Sequence, residues 1–249
     1  MSELFSIQLQ NRQQQGRDGV WLDLPTTTEQ VQAALRQIGI SSDNPQGLFI
    51  SGYFAEEEKR FAIPYNMVLA SNVDELNFLA ARLETLSAGE RAELNAALQA
   101  PQSELSSIGR ITDFPENVDY YVHLPDVRGP AQLGDYYLNR SGMVDMPEEW
   151  KGGIDTAQFG RYVAQQEQGA FTQYGYLVKS GDEWQKVYEG QPVPEEYRVL
   201  SFPASEILRD AANIPPPVQS TTEQQKVIPI ILNGKDSTER MKEITDRLE

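Results

Sequence analysis

The sequence predicts an α+β fold made of three small domains and a C-terminal tail. Near the N-terminus apolar and polar residues alternate, which is typical of half-buried strands, whereas apolar residues between 73 and 100 recur at helical spacing. A proline-rich, polar stretch at 214–225 then separates the last residues from the rest. The chain has 249 residues, of which 39% are hydrophobic, so it can fill several small cores more easily than a single one.

The first domain is predicted over residues 1–62 as a small α/β unit. A helix is expected at 28–38, and Thr26-x-x-Glu29 is a candidate capping box at its start. Strands are expected on either side of this helix in the sequence, at residues 4–10, 19–24 and 47–53.

The second domain, predicted over residues 63–127, is helical. Val73 starts an apolar stripe at i+3 and i+4 spacing, which predicts an amphipathic helix. Ser87-x-x-Glu90 predicts a capping box for the next helix, which ends before Pro101. The two helices form a predicted hairpin, and a stretch rich in proline and aspartate follows it.

The third domain, predicted over residues 128–203, combines helices and strands. Helices are expected at 131–139 and 155–166, and strands at 171–179, 183–188 and 198–202. Residues 204–249 are predicted to be a linker and a tail. The tail ends in a helical pattern without a C-cap signal, which favours the start of a further domain.

The residue inventory argues against most enzyme classes. The sequence has no cysteine, which excludes disulfides, thiolate nucleophiles and cysteine-ligated metals and is compatible with a reducing cytoplasm. The single histidine, His123, lies among apolar and aromatic neighbours, which favours a structural imidazole over a general base. The sequence has no nucleotide-binding motif and no apolar run long enough to span a membrane. We therefore expect a cytoplasmic protein that is not an enzyme and has no cofactor, metal or membrane association.

Negative charge is concentrated in the middle of the chain. The whole sequence has 37 acids and 21 Lys or Arg, a formal net charge of -16. Residues 43–206 contain 26 of the acids and 12 of the bases, so the acids exceed the bases by 14 there. Such a protein should repel nucleic acid and attract cationic partners, including DNA-binding proteins. One interpretation is a surface that imitates the DNA backbone.

The acids of this middle segment are the candidate target-binding residues. Each acid taken alone fits a solvated helix face or a helix cap. Together they are spread along the chain rather than gathered in one motif, which favours a broad acidic surface over a catalytic cleft. The candidates are Glu56, Glu57, Glu58, Asp74, Glu75, Glu84, Glu90, Glu93, Glu104, Asp113, Glu116, Asp119, Asp126, Asp135, Asp145, Glu148, Glu149 and Asp155.

Three ordered sets of motifs resemble the ArdA family of antirestriction proteins over roughly residues 4–180. The first set is GVWLDL followed by GLFISGY, and the second is LNFLAARLETL followed by ERAELNAAL. The third and most specific set is LGDYY, MPEE and the segment that contains Ile154-Asp155 and Phe159-Gly160-Arg161.

The resemblance implies an elongated, acidic protein that dimerises through its third domain. It also implies that the protein occupies the DNA groove of type I restriction–modification enzymes as a DNA mimic. The chain differs from compact family members in its longer segment at 102–130 and in its tail. The tail resembles the lead-in to an antirestriction domain of the ArdC type.

Other functions fit the same composition. The protein could inhibit a different DNA-targeting defence nuclease, or it could be an acidic interaction module encoded by a mobile genetic element. A carboxylate-dependent hydrolase is a further alternative, and it predicts a pocket in which acids converge and at least one has a raised pKa.

Overall fold

The structure, a computed structural model, describes residues 4–14, 18–41, 46–56, 61–101 and 103–200. These residues belong to one unit, Met1–Arg209, and the second unit, Asp210–Glu249, lies outside them. The predicted linker and tail therefore also lie outside the described residues. The described fold consists of helices and small antiparallel sheets, which confirms the α+β prediction.

The N-terminal part is an antiparallel sheet with a helix packed on one face. The strands β1 (Phe5–Asn11), β2 (Val20–Leu24) and β3 (Leu48–Phe54) pair in the order β2–β1–β3. Ile7 and Leu9 of β1 are fully buried, whereas the alternating glutamines of this strand are partly exposed. The helix α1 (Thr28–Gln37) buries Val31, Ala34 and Leu35.

The capping box of α1 is one residue later than predicted. Thr27 has extended backbone angles and forms reciprocal hydrogen bonds with Gln30, so Thr27 rather than Thr26 is the N-cap. The side chain of Thr26 instead donates to Gln30 Oε1 at 2.8 Å. Two adjacent threonines made the register ambiguous in the sequence.

The two predicted helices are present as α3 (Val73–Glu84) and α4 (Ala88–Gln99), preceded by the short α2 (Tyr65–Leu69) and followed by α5 (Ile108–Thr112). They do not pack together as the predicted hairpin, because α3 packs on α5 and β2, whereas α4 packs on the strands at Tyr121–Leu124 and Gly175–Lys179. The predicted capping box between Ser87 and Glu90 is present, and Asn72 and Glu75 form a second box at the start of α3.

The remaining described elements are short helices and a second antiparallel sheet. The helix α6 (Pro130–Asp135) continues as a π-helical turn (Tyr136–Arg140), and α7 (Glu148–Lys151) and α8 (Thr156–Glu167) follow. The strands β4 (Tyr121–Leu124), β5 (Ala170–Thr172) and β6 (Gly175–Lys179) pair in the order β4–β6–β5.

Two glycines determine how closely α6 and α8 pack. A Cβ atom at Gly134 would lie 1.9 Å from the carbonyl oxygen of Thr156, and one at Gly160 would lie 1.8 Å from that of Pro130. The two helix backbones therefore touch directly, which no side chain would permit.

Three strand predictions need correction. The single strand expected at 171–179 is a hairpin, because the chain turns between Thr172 and Gly175. The strand expected at 183–188 is irregular, since side chains of earlier residues hold its backbone: Asn117 Oδ1 accepts from the amide of Gln185 at 2.7 Å. The strand expected at 198–202 is absent from its described residues, 198–200.

The buried apolar residues form two clusters within the described part of the chain. The larger one joins the N-terminal sheet, the helices α3 and α4, β4 and Val199–Leu200. The smaller one contains Val127, Leu133, Ala164 and Tyr176. Residues on both sides of the predicted boundary at 62/63 share the larger cluster, and the three-domain division stays a prediction. No helix among the described residues is both long and apolar enough to cross a membrane.

Candidate functional site

The described residues are as acidic as the sequence predicts. They include 25 acids and 12 bases, so the acids exceed the bases by 13. The structure separates these acids by what their carboxylates contact. Some hold the backbone from inside, some form ion pairs, some cap helices, and the rest face solvent.

Two candidate acids lie inside the protein and cannot face a partner. Asp113 is 0% exposed, and its carboxylate accepts from the backbone amides of Tyr188 at 2.6 Å and Glu189 at 3.3 Å. Asp74 is 5% exposed, and its Oδ1 accepts from Val199 and Leu200. The prediction that both are surface acids is therefore wrong. Their hydrogen bonds hold segment 188–200 against the α3–α5 region.

Burial raises the pKa of Asp74. The hydrogen bonds from the amides of Leu200 and Val199 and the charge of Arg198 act in the opposite direction. Because Asp74 accepts amides that would otherwise lack a partner, it serves the fold rather than a ligand.

Ion pairs take up two further candidates, Glu104 and Glu116. Arg110 contacts Glu104 at 2.5 Å and Glu189 at 3.0 Å, and Lys179 contacts Glu104 at 2.7 Å. The hydrogen bond from Lys179 is the main reason that the pKa of Glu104 lies below its usual value. Arg82 pairs with Glu116.

Three candidates cap helices. Glu75 and Glu90 complete the capping boxes of α3 and α4 and are half-buried. Asp155 is exposed and caps α8, because its Oδ1 accepts from the amides of Ala157 and Gln158, both at 2.9 Å. A capping carboxylate keeps its charge and can also face a partner.

The exposed candidates lie mainly at residues 119–155. Asp135 is half-buried and pairs with Arg140 at 3.2 Å, and the exposed Glu148 pairs with Lys151 at 3.0 Å. Glu84 is half-buried. Glu57 and Glu58 lie outside the described residues. The exposed candidates, apart from Asp155, are Glu56, Asp119, Asp126, Asp145, Glu148 and Glu149.

Glu93 behaves differently from the other acids of α4. Burial raises the pKa of its carboxyl group to about 8, with a smaller contribution from the charges of Glu90 and Asp119. Its Oε1 is buried and has no hydrogen-bond partner among the described residues. At pH 7 this side chain is mostly neutral, so it adds little to the acidic surface.

Sequence reasoning missed exposed residues of two kinds. Four exposed acids follow β6, namely Asp182, Glu183, Glu195 and Glu196. Large apolar side chains are also exposed, among them Trp21, Phe54, Met143, Trp150 and Tyr162. The acids could have been added from the charge count, but the exposure of an aromatic residue depends on which face of its element packs against the core.

The remaining polar features fit structural roles. The half-buried His123 has its Nε2 2.9 Å from the carbonyl oxygen of Tyr174, where it links β4 to the β5–β6 turn. This fits the structural imidazole that its sequence neighbours indicate. Among the described residues, no group of three or more His, Asp or Glu is placed to hold a metal ion.

A cavity of about 1020 Å³ lies between α3, α5 and segment 188–200, and acids line it. Of these, Asp74 accepts backbone amides, Glu75 completes a capping box, and Glu189 pairs with Arg110. The pocket therefore has converging acids and a raised pKa, as the hydrolase alternative predicts. Each carboxylate is already bound to the protein, however, which favours a structural role.

Comparison with known proteins gives a family. A family model described as Antirestriction protein (ArdA) matches residues 15–178, about two thirds of the chain. The matched residues extend from before β2 into β6 and include all three sets of motifs. A search of curated proteins finds no match.

Proposed function

Because the chain belongs to the ArdA family of antirestriction proteins, we propose that it inhibits a type I restriction–modification enzyme by occupying the groove in which that enzyme binds DNA. The family is one of inhibitors rather than enzymes. In this proposal, exposed carboxylates take the positions of backbone phosphates, and the enzyme's lysines and arginines bind them as they would bind DNA.

The proposal is carried by the observation that acids outnumber bases and that many of the bases are held in ion pairs within the protein. Acids exceed bases by 13 among the described residues. Half of the described bases are held in internal ion pairs, namely Arg82, Arg110, Arg140, Lys151, Lys179 and Lys186. Most of these pairs are with acids that are half-buried, so the cations of the described residues neutralise few of the exposed acids of 119–155.

The energetics of such a surface should resemble those of DNA itself. Duplex DNA carries about one charge per ~1.7 Å of its axis, and its affinity for proteins falls steeply with salt. A groove that binds many phosphates obtains its affinity from many weak contacts. We therefore expect salt-sensitive inhibition in which no single acid dominates. The same negative surface should keep the protein from binding DNA itself.

We also propose that the protein is a homodimer that forms through its predicted third domain, residues 128–203, as the family resemblance implies. This segment contains three of the most exposed large apolar residues of the described chain: Met143 is 75% exposed, Trp150 66% and Tyr162 60%. Exposed apolar side chains grouped within one segment often mark a protein interface. A type I enzyme acts on DNA inside the cell, so the proposed partner places the protein in the cytoplasm.

The test is competition with DNA. The protein should displace DNA from a purified type I enzyme in a gel-shift assay at low salt, and the inhibitory concentration should rise with the DNA concentration. Added salt should weaken the inhibition. Unchanged DNA binding and cleavage at low salt would show that the target is wrong. If the protein instead inhibits another DNA-targeting nuclease under the same conditions, the DNA-mimic mechanism would stand and that nuclease would be the target.

A further inference from the structure

The face of the N-terminal sheet that lies opposite α1 carries two exposed aromatic rings. Trp21 of β2 is 49% exposed and Phe54 of β3 is 53% exposed. Strand pairing puts both on the same face: Gln8 of β1 pairs with Trp21, and Ser6 pairs with Phe54. Since alternate residues of β1 share a face, the two rings lie on the same side of the sheet.

The strands hold Trp21 flat against the sheet rather than extended into solvent. A Cβ atom at Gly52 would lie 3.1 Å from Cη2 of the indole, so the ring crosses β1 and rests on the glycine of β3. Its edge meets the ring of Phe54, with centroids 6.5 Å apart and planes at 75°. A larger residue at position 52 would lift the indole. The two rings form a fixed aromatic platform, defined here as Trp21 and Phe54.

An acidic group borders this platform. Asp23 of β2 is exposed and lies opposite Ser6 of β1, on the same face as the two rings. Its Oδ1 accepts a hydrogen bond from Ser6 Oγ at 2.9 Å. A ring face next to carboxylates is the environment that a guanidinium group prefers, because it can stack on the ring and pair with the acid.

The same sheet already binds one arginine of its own in this way. Phe49 pairs with Gln10, which places it on the platform's face, and the guanidinium carbon of Arg12 lies 5.2 Å from the centre of its ring. Among the described residues, no cation is placed over Trp21 or Phe54.

We infer that the aromatic platform of Trp21 and Phe54, bordered by Asp23, binds arginine side chains of a basic protein partner. The inference rests on the proposed function, in which the partner is a DNA-binding enzyme with an arginine-rich groove. It adds to that function a contact that DNA does not offer in duplex form, namely a ring face open to a guanidinium group. Charge complementarity selects this occupant, because the surrounding protein is strongly negative and the platform lies next to an acid.

The inference is tested first by a probe that needs no restriction enzyme. In the full chain, the indole N–H signals of the three tryptophans are assigned by Trp→Phe variants and followed by NMR during titration with an arginine–serine peptide. Trp21 should shift more than Trp184, which is half-buried against Tyr120 and serves as the internal control. A lysine–serine peptide of equal charge should shift Trp21 less, because an ammonium group stacks less well than a guanidinium group.

The second test uses inhibition and a series of substitutions. Trp21→Ala should weaken inhibition of the type I enzyme about tenfold. Trp21→Phe keeps a ring and should lose much less, whereas Trp21→Leu keeps apolar area without a ring and should resemble the alanine variant. Circular dichroism and urea unfolding check that each variant is folded.

The outcomes separate the two proposals. Equal shifts of Trp21 with both peptides, or unchanged inhibition by the folded Trp21→Ala variant, would overturn the inference and leave the proposed function standing. If Trp21 responds to the arginine peptide but the protein inhibits no type I enzyme, the inference stands and the proposed function is overturned. A Trp21 shift that depends on protein concentration alone would assign the face to a second copy of the chain and overturn the inference.

Discussion

Residues 72–120 and residues 126–155 are both rich in acids, but they use their carboxylates differently. In the first segment Asp74 and Asp113 accept backbone amides from inside the protein, and Glu104 and Glu116 pair with arginines. In the second segment most carboxylates are exposed. The comparison teaches that acids of equal formal charge contribute either to stability or to a binding surface, and that burial decides which.

Among substitutions that test this difference between the two segments, Asp113→Ala is expected to have the largest effect on stability. The substitution removes the acceptor for the amides of Tyr188 and Glu189 and leaves a small cavity at a fully buried site. We expect the free energy of unfolding to fall by about 2–4 kcal/mol, measured by urea unfolding.

The matched control for Asp113→Ala is Asp126→Ala, because Asp126 is exposed. Its unfolding free energy should change by less than about 0.5 kcal/mol. Equal destabilisation by both substitutions would remove the distinction between the two segments.

A smaller effect, dependent on pH, is expected from Glu93→Gln. The folded state raises the pKa of Glu93 to about 8 from 4.5, mainly through burial. Between these values the folded protein holds a proton that the unfolded chain has released, so wild-type stability falls as the pH rises from about 5 to 8. The glutamine variant lacks this loss and should gain about 2 kcal/mol relative to wild type over that range, which is roughly half of the full ~1.4 kcal/mol per pH unit because the side chain is only partly buried.

Urea unfolding at several pH values between 5 and 8 tests the Glu93 prediction. Glu149→Gln is the control, because Glu149 is exposed, and its stability should follow wild type at each pH. A difference between Glu93→Gln and wild type that stays constant from pH 5 to 8 would contradict the raised pKa of Glu93.

Local patterns predicted the secondary structure well where one face is apolar. The helices α3 and α4 and the capping box at Ser87 follow from helical spacing and a short side-chain motif, both visible within a few residues. The family also followed from ordered local motifs. Local patterns could not predict that segment 183–188 is irregular. Its backbone is held by Asp113 and Asn117, which lie about 70 residues earlier in the chain.

The same limit applies to the candidate site. The sequence identifies Asp74 and Asp113 as acids in an acidic region, and nothing near them shows that they are buried. Their roles depend on amides at Tyr188 and at Val199 and Leu200. Tertiary packing also determines that burial raises the pKa of Glu93 and that Trp21 lies flat on Gly52. Charge alone could therefore predict an acidic surface but not its members.

The smallest single effect is expected in the exposed segment. Glu149→Gln should leave stability unchanged and weaken inhibition of a type I enzyme by less than about twofold, because one of many carboxylates contributes little to a salt-sensitive surface. Combining it with Asp145→Asn and Glu148→Gln should weaken inhibition about tenfold, measured by gel shift at low salt, and the difference should shrink as salt is added. Loss of all inhibition from Glu149→Gln alone would contradict a distributed surface and indicate a single essential contact. Since the three acids lie within five residues, a graded response would also place residues 145–149 in the groove of the partner.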